Sequence, residues 1–258
     1  MHAGYRLLDC AAIYTNEALV GEAISRVISE EKVKREELFV VTKLWMDSFK
    51  DPEAALRASM EKLQVSYVDC YMVHWPAGFF QEDPENRVPM HVLWPKLEAL
   101  VDAGLVKSLG ISNFNLQMIA DLLCYCRVKP VVNEVELNPT NTQETLIAFL
   151  KSQSIVPIGY IPVCRPGDHR TEAVWSDLSL EQICSHHGKS RAQVMLNWAV
   201  ARGTVPIPRS GTLLHQQENI DIYDFVLDEA QMQSIASLNK NFRICDKRAH
   251  TNDFDFFV

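Results

Sequence analysis

Asp9, Tyr14, Lys43 and His74 are residues whose types and spacing suit proton transfer. Asp9 closes the short run Tyr5-Arg6-Leu7-Leu8-Asp9, and Tyr14 follows in the tight loop Cys10-Ala11-Ala12-Ile13-Tyr14-Thr15-Asn16-Glu17. Lys43 ends Val40-Val41-Thr42-Lys43, and His74 ends Val68-Asp69-Cys70-Tyr71-Met72-Val73-His74 before the turn Trp75-Pro76. A phenol has an ordinary pKa of about 10 and gives up its proton reluctantly at neutral pH. An adjacent ammonium favours the phenolate, so Lys43 beside Tyr14 would lower that barrier, Asp9 would hold Lys43 charged and in place, and His74 would position a carbonyl oxygen. Such a set protonates a carbonyl oxygen while a second agent reduces its carbon. The alternative for each residue alone is a surface or capping group. Together, on successive strand ends, they point to acid catalysis.

Three strands must bring these groups to one place, and parallel neighbours would do so at the carboxyl edge of a sheet, where barrels and open sheets carry their active sites. The rest of the chain supplies such strands. Short buried runs start near residues 5, 38, 68, 105, 131, 155 and 205, mostly at the spacing of about 31 residues expected when about 250 residues build eight strand–helix units. Seven strands are counted. Between them, Leu19, Val20, Ala23, Ile24, Val27 and Ile28 form the apolar stripe of a first helix starting near Asn16, with Asn16 as its cap. Asp51 caps a second helix with Pro52 in its first turn and Leu56, Met60 and Leu63 inward. Leu93, Leu97, Leu100 and Val101 mark a third, stopped by Gly104. Further helices are expected over about residues 142–153, around Val194, Leu196, Trp198 and Ala199, and over residues 227–238. Residues 77–90, rich in Gly, Pro and charge, read as a surface loop near the substrate mouth.

The segments that carry these groups resemble the aldo-keto reductase superfamily. The likeness lies in Gly4-Tyr5-Arg6-Leu7-Leu8-Asp9 with Tyr14-Thr15-Asn16-Glu17, in Thr42-Lys43-Leu44-Trp45, and in Tyr67-Val68-Asp69 with His74-Trp75-Pro76. It continues through Gly110-Ile111-Ser112-Asn113-Phe114, Val132-Asn133-Glu134-Val135-Glu136, Gly159-Tyr160, Ile207-Pro208-Arg209-Ser210 and Glu218-Asn219, covering nearly the whole chain in the family's order. The resemblance implies an α/β fold of the TIM (β/α)₈ type and reduction of an aldehyde or ketone by hydride from NADPH, with Tyr14 as proton donor.

Residue types at the cofactor side agree with that implication. A carboxamide needs donors and acceptors, which Ser112, Asn113 and position 134 offer at strand ends, and Tyr160 offers a flat face for a nicotinamide ring. The family usually has glutamine where this chain has Glu134, a change that removes a donor. No Gly-x-Gly-x-x-Gly is present, so a Rossmann site is not expected. Arg209-Ser210-Gly211-Thr212 instead follows a strand and precedes a helix, placing amide groups beside a guanidinium in a way that suits a phosphate dianion. By resemblance Arg209 contacts the adenosine 2′-phosphate and Glu218 and Asn219 reach the adenine, favouring NADPH over NADH. His215 stands where the family commonly carries a second arginine. Trp45, Trp75 and Phe114 are expected as walls of an apolar substrate pocket, with the tail Phe254-Asp255-Phe256-Phe257-Val258 over its mouth.

Composition bounds the remaining classes. The 258 residues, 47% hydrophobic, suffice for one barrel domain over residues 1–258. A net charge of −8 argues against nucleic acid or an anionic membrane as partner. With no signal-like start and no membrane-length apolar stretch, a cytoplasmic protein is the expectation. Seven cysteines without a Cys-x-x-Cys pair read as reduced thiols, and Cys124 and Cys126 lack companions for a metal site. A metal-dependent barrel hydrolase or isomerase would need ligand clusters at strand ends, and no metal is expected, since His186-His187 lies in a helix-to-loop region. The other rival is a catalytically weak or inactive barrel that binds cofactor or regulates. Family members are monomers, but by resemblance the chain starts at the end of the first barrel helix, lacking roughly forty residues of the first strand–helix unit. That reading predicts an exposed edge and self-association through it.

Overall fold

The computed structural model describes residues 3–245. Among them, seven strands alternate with helices. They fall into two compact units, one spanning Tyr5–Asn133 and the other residues 134 to 245 with residues 3 and 4.

In the first unit β1 (Leu7–Asp9), β2 (Phe39–Leu44), β3 (Val68–Val73) and β4 (Val106–Ser112) pair in order, all parallel. The register sets Asp9 opposite Val41, Lys43 opposite Met72 and Val73 opposite Ile111. It therefore aligns the carboxyl ends at which Asp9, Lys43, His74 and Ser112 stand. All six residues of β3 are buried, as expected of a parallel strand covered on both faces. At the opposite ends, buried Asp69 accepts from Val40 N at 3.0 Å and pairs with Arg35 at 2.8 Å and Lys107 at 3.1 Å. Those bonds stitch strand starts together.

Helices α1 (Glu17–Ser29), α2 (Pro52–Leu63), α3 (Met90–Asp102) and α4 (Leu116–Tyr125) connect these strands. The Asp51 side chain accepts from Ala54 N, and Pro52 opens α2 as expected. Gly104 lies at φ +73, with its amide on Val101 O and that of Leu105 on Leu100 O, so the left-handed stop of α3 is realised. The α1 stripe differs from expectation. Glu17, Gly21, Ile24 and Val27 are buried, while Leu19 is 68% exposed and Ala23 is exposed. A Cβ on Gly21 would lie 2.2 Å from Lys62 O. The close approach of α1 to α2 at that glycine turns the inward face away from Leu19. Asn16 occupies the N-cap position, but its side chain makes no capping bond. Inside, Ile24, Val27, Val33, Leu38, Val40 and Leu63 form a core, each such burial contributing roughly 1.5–3 kcal/mol. The 77–90 segment is less open than expected: it holds two 3₁₀ turns, Gly78–Phe80 and Pro84–Asn86, with Ala77, Gly78 and Asn86 buried.

Strand β5 (Val132–Glu136) begins at the end of the first unit. The second unit carries β6 (Val156–Tyr160) paired parallel to β7 (Val205–Pro206). Its helices are α5 (Glu144–Ser152), α6 (Glu172–Trp175), α7 (Leu178–His187), α8 (Arg191–Ala201), α9 (Leu213–Ile220) and α10 (Glu229–Ala236). Trp198, Val194, Met195, Leu180 and Ile235 pack as its core. His186 and His187 close α7, and His187 Nε2 lies 3.0 Å from Gln231 Oε1. No helix among the described residues is long and apolar enough to cross a membrane. The tail 254–258 lies outside the described residues.

Candidate active site

Lys43 lies near the end of β2 with its side chain fully buried. A buried ammonium is costly unless its three N–H donors find acceptors. Three are at hand: the Asp9 carboxylate in a short ion pair, Cys10 O at 3.2 Å and Tyr14 Oη at 3.4 Å. The Tyr14 oxygen accepts from the ammonium, which leaves its own O–H to donate elsewhere. Tyr14 sits on the 3₁₀ turn Ala12–Tyr14, 42% exposed, and Thr15 beyond it takes the left-handed conformation at φ 57. Tyr14 is thus partly exposed while its hydroxyl reaches a buried cation.

His74 follows β3, its amide donating to Leu44 O at 3.1 Å. Its ring is edge-on to Tyr14 at 5.7 Å and to Trp45 at 5.1 Å. The structure therefore gathers Asp9, Tyr14, Lys43 and His74 and adds Trp45 beside them. Trp75 is buried at 3% exposure. Phe114, also buried, lines a cleft of about 340 Å³ together with Phe49, Pro76, Phe79, Met118 and Tyr125, among other residues. None of the four proton-handling residues lines that cleft.

Ser112 ends β4, and Asn113 follows at φ 63, a left-handed position that asparagine tolerates. Both are 1% exposed. Asn113 Nδ2 donates to His74 O at 2.9 Å and to Ser112 Oγ at 3.0 Å, tying the ends of β3 and β4 together. Cys10, beside Asp9, is inert: burial, with the Asp9 charge adding, pushes its thiol up to about 12.

In the second unit Glu134 is buried within β5, and Tyr160 ends β6. Burial pushes the Tyr160 phenol well above its ordinary range, so the ring remains a neutral aromatic face. Arg209 is exposed and, among the described residues, its guanidinium enters no ion pair. Ser210 Oγ bonds Thr212 N at 3.3 Å, Thr212 caps α9, and an added Cβ on Gly211 would meet nothing within 4 Å. An open glycine, a free cation and a helix N-terminus form a donor set suited to a phosphate. Glu218 and Asn219 lie half-buried near the end of α9, and His215 is exposed in its first turn. Among the described residues no group of three His, Cys, Asp or Glu could hold a metal.

Two polar contacts were not anticipated from the sequence. Glu17, expected at the start of the first helix, is buried and accepts from Thr42 Oγ1 at 2.7 Å. Glu136, fully buried, accepts from the amides of Ile244 and Cys245, both at 2.7 Å, and holds that segment to the end of β5. For Glu136 the available signal was a carboxylate inside a run otherwise reading as buried; Glu17, at a helix start, offered none.

The model of the Aldo/keto reductase family matches residues 1–240. Aldo-keto reductase family 1 member A1 of Xenopus tropicalis is 39% identical, covering 93% of this chain and 79% of its own length. Aldose reductase B of Dictyostelium discoideum is 36% identical over 95% of this chain and 83% of its own. Among solved structures, the Bombyx mori aldo-keto reductase AKR2E4 in complex with NADP superposes with a TM-score of 0.89 at 35% identity, over 97% of this chain and 83% of that one. The aldose reductase of Schistosoma japonicum gives 0.89 at 30%, over 97% and 85%. These matches make the fold α/β, of the TIM-barrel type.

Proposed function

We propose that this chain, which belongs to the aldo/keto reductase family, reduces aldehyde or ketone carbonyls to alcohols using NADPH, with Tyr14 as the proton donor. NADPH, when bound, supplies the hydride to the carbonyl carbon and leaves as NADP⁺. The observation that carries the role of Tyr14 is the Lys43 ammonium, buried, paired with Asp9 and 3.4 Å from Tyr14 Oη.

Tyr14 gives its proton to the carbonyl oxygen as negative charge grows there, and Lys43 stabilises the phenolate left behind. Asp9 fixes the ammonium. His74, edge-on to Tyr14, orients the carbonyl, and Trp45, edge-on to His74, offers apolar surface to the rest of the substrate; Trp75 and Phe114, both buried here, are the further apolar walls in this reading. Ser112, Asn113 and Glu134 would hold the carboxamide and Tyr160 the nicotinamide ring. Arg209 and Ser210 would take the 2′-phosphate, and Glu218 and Asn219 the adenine. Glu134 offers acceptors to the amide where a glutamine would also donate.

Residues 1–258 are taken as one barrel domain because the family match runs unbroken over residues 1–240. A cytoplasmic location accords with the absence of any disulfide among the described residues. Self-association through the β1 edge is supported by its three residues being only half-buried. Light scattering would test it.

The reading of Tyr14 is tested by NADPH oxidation against a panel of aldehydes and ketones, comparing the protein with Tyr14→Phe. Loss of about 10²-fold or more in kcat, with NADPH affinity nearly unchanged, is expected for removal of a general acid. Activity persisting within a few-fold would reject Tyr14 as donor.

A further inference from the structure

We infer that Glu17 is a positioning residue for Tyr14, acting through Thr42. The inference rests on Tyr14 being the proton donor. The turn that carries Tyr14 is shaped by its backbone, Tyr14 N donating to Ala11 O at 3.0 Å and Thr15 N to Ala12 O at 3.4 Å, rather than by side-chain caps. Ala11 at its N-cap makes no side-chain cap bond, nor does Asn16 at the start of α1, and Thr15 Oγ1 bonds only back to Tyr14 O at 2.8 Å. Three residues after Tyr14, Glu17 turns inward to 2% exposure and its Oε1 accepts from Thr42 Oγ1 at 2.7 Å.

Thr42 and Lys43 are successive residues of β2, so their side chains leave the strand on opposite faces. The chain from Tyr14 to Glu17 therefore grips one strand from both sides: Tyr14 Oη at Lys43, Glu17 at Thr42. That clip sets where along β2 the turn sits, and with it the 3.4 Å separation of phenol and ammonium.

The chemistry of Glu17 is costly for a residue that serves only packing. Its Oε2 is buried with no hydrogen-bond partner among the described residues, and a buried carboxylate oxygen without donors is unfavourable. The positive end of α1 offsets part of that cost. Ile24 and Val27, further along the same face, are apolar core residues, so Glu17 is the charged member of that face. A polar group retained at such expense specifies register rather than adding stability.

Four variants test this by steady-state kinetics and NADPH titration: Glu17→Ala and Thr42→Val, which break the clip, and Glu17→Gln and Thr42→Ser, which keep its acceptor or its hydroxyl. Breaking the clip is expected to lower kcat about tenfold or more, as small misplacements of catalytic groups do, while KM and NADPH affinity stay within about threefold. The conservative pair should restore kcat to within about threefold of the parent. Unchanged kcat in Thr42→Val, or equal losses in the breaking and conservative variants, would overturn the proposal. Should Glu17→Ala not fold, the Thr42 pair decides alone. Failure of the underlying reading shows separately, as retained activity in Tyr14→Phe whatever the Glu17 variants do.

Discussion

The Lys43 ammonium has three donors and three acceptors, and one of the acceptors is the oxygen proposed to deliver a proton. Full pairing is what allows a lysine to be buried at a strand end. Arg209 is the opposite case, an exposed cation at an open helix start whose partner is proposed to be a ligand phosphate. Arg209→Ala should weaken NADPH binding at least about tenfold and leave NADH nearly unaffected, since charge-assisted bonds to one phosphate contribute about 1.5–3 kcal/mol. Fluorescence quenching titrations compare the two cofactors, and equal losses would contradict the assignment. Asp9, Lys43 and His74 were legible in the sequence because each interrupts an apolar run where a strand must stop, and Tyr14 because it follows Asp9 in a tight loop. Glu17 was not, because a glutamate at the start of a helix reads as a solvated first-turn residue. Only the approach of Thr42 from another strand makes it a buried one.

Helix α1 shows how one element limits what periodicity can tell. Apolar residues at positions 19, 20, 23, 24, 27 and 28 describe a stripe, yet the true contact face runs through Gly21, whose missing side chain lets α1 lie against the last turn of α2. Hydrophobic periodicity cannot see a face defined by an absent side chain. Gly21→Ala should accordingly destabilise the protein by about 1–3 kcal/mol, although alanine improves helix propensity by about 1 kcal/mol. The new Cβ would meet backbone atoms of Lys62 and Leu63 at 2.2, 2.7 and 2.9 Å, which cannot rotate away. Urea denaturation measures this, and a midpoint at or above that of the parent would contradict it. At Asp51, whose side chain caps α2, and at Gly104, whose left-handed φ stops α3, the sequence located the helix ends correctly.

Across the whole chain, the buried thiols give a pH dependence with a definite sign. Burial pushes Cys10 and Cys164 to about 12 and Cys184 to about 11, from an ordinary 9.0. The unfolded chain releases these protons at lower pH than the native one, so their contribution to stability is intact below about pH 9 and declines from there toward 11 or 12. Tyr71 and Tyr160, also raised by burial, act in the same direction. Urea midpoints should fall between about pH 8.5 and 10.5; a flat profile would show that these groups are solvated in solution. The order of the seven strands along the chain was readable because parallel βα units repeat apolar runs at regular spacing, whereas helices α4 and α6 were not anticipated. What also escaped was the surroundings of buried carboxylates such as Glu136, whose backbone partners lie over a hundred residues away.

Carbonyl reduction by direct hydride transfer is the central claim, and isotope transfer tests it without reference to any one residue. The purified chain is supplied with NADPH carrying deuterium at both C4 positions of the nicotinamide and an aldehyde from the panel, and the alcohol is analysed by mass spectrometry. The account predicts that the deuterium appears on the carbinol carbon of the product, in step with cofactor oxidation. An alcohol free of deuterium, or cofactor turnover without alcohol, would contradict it.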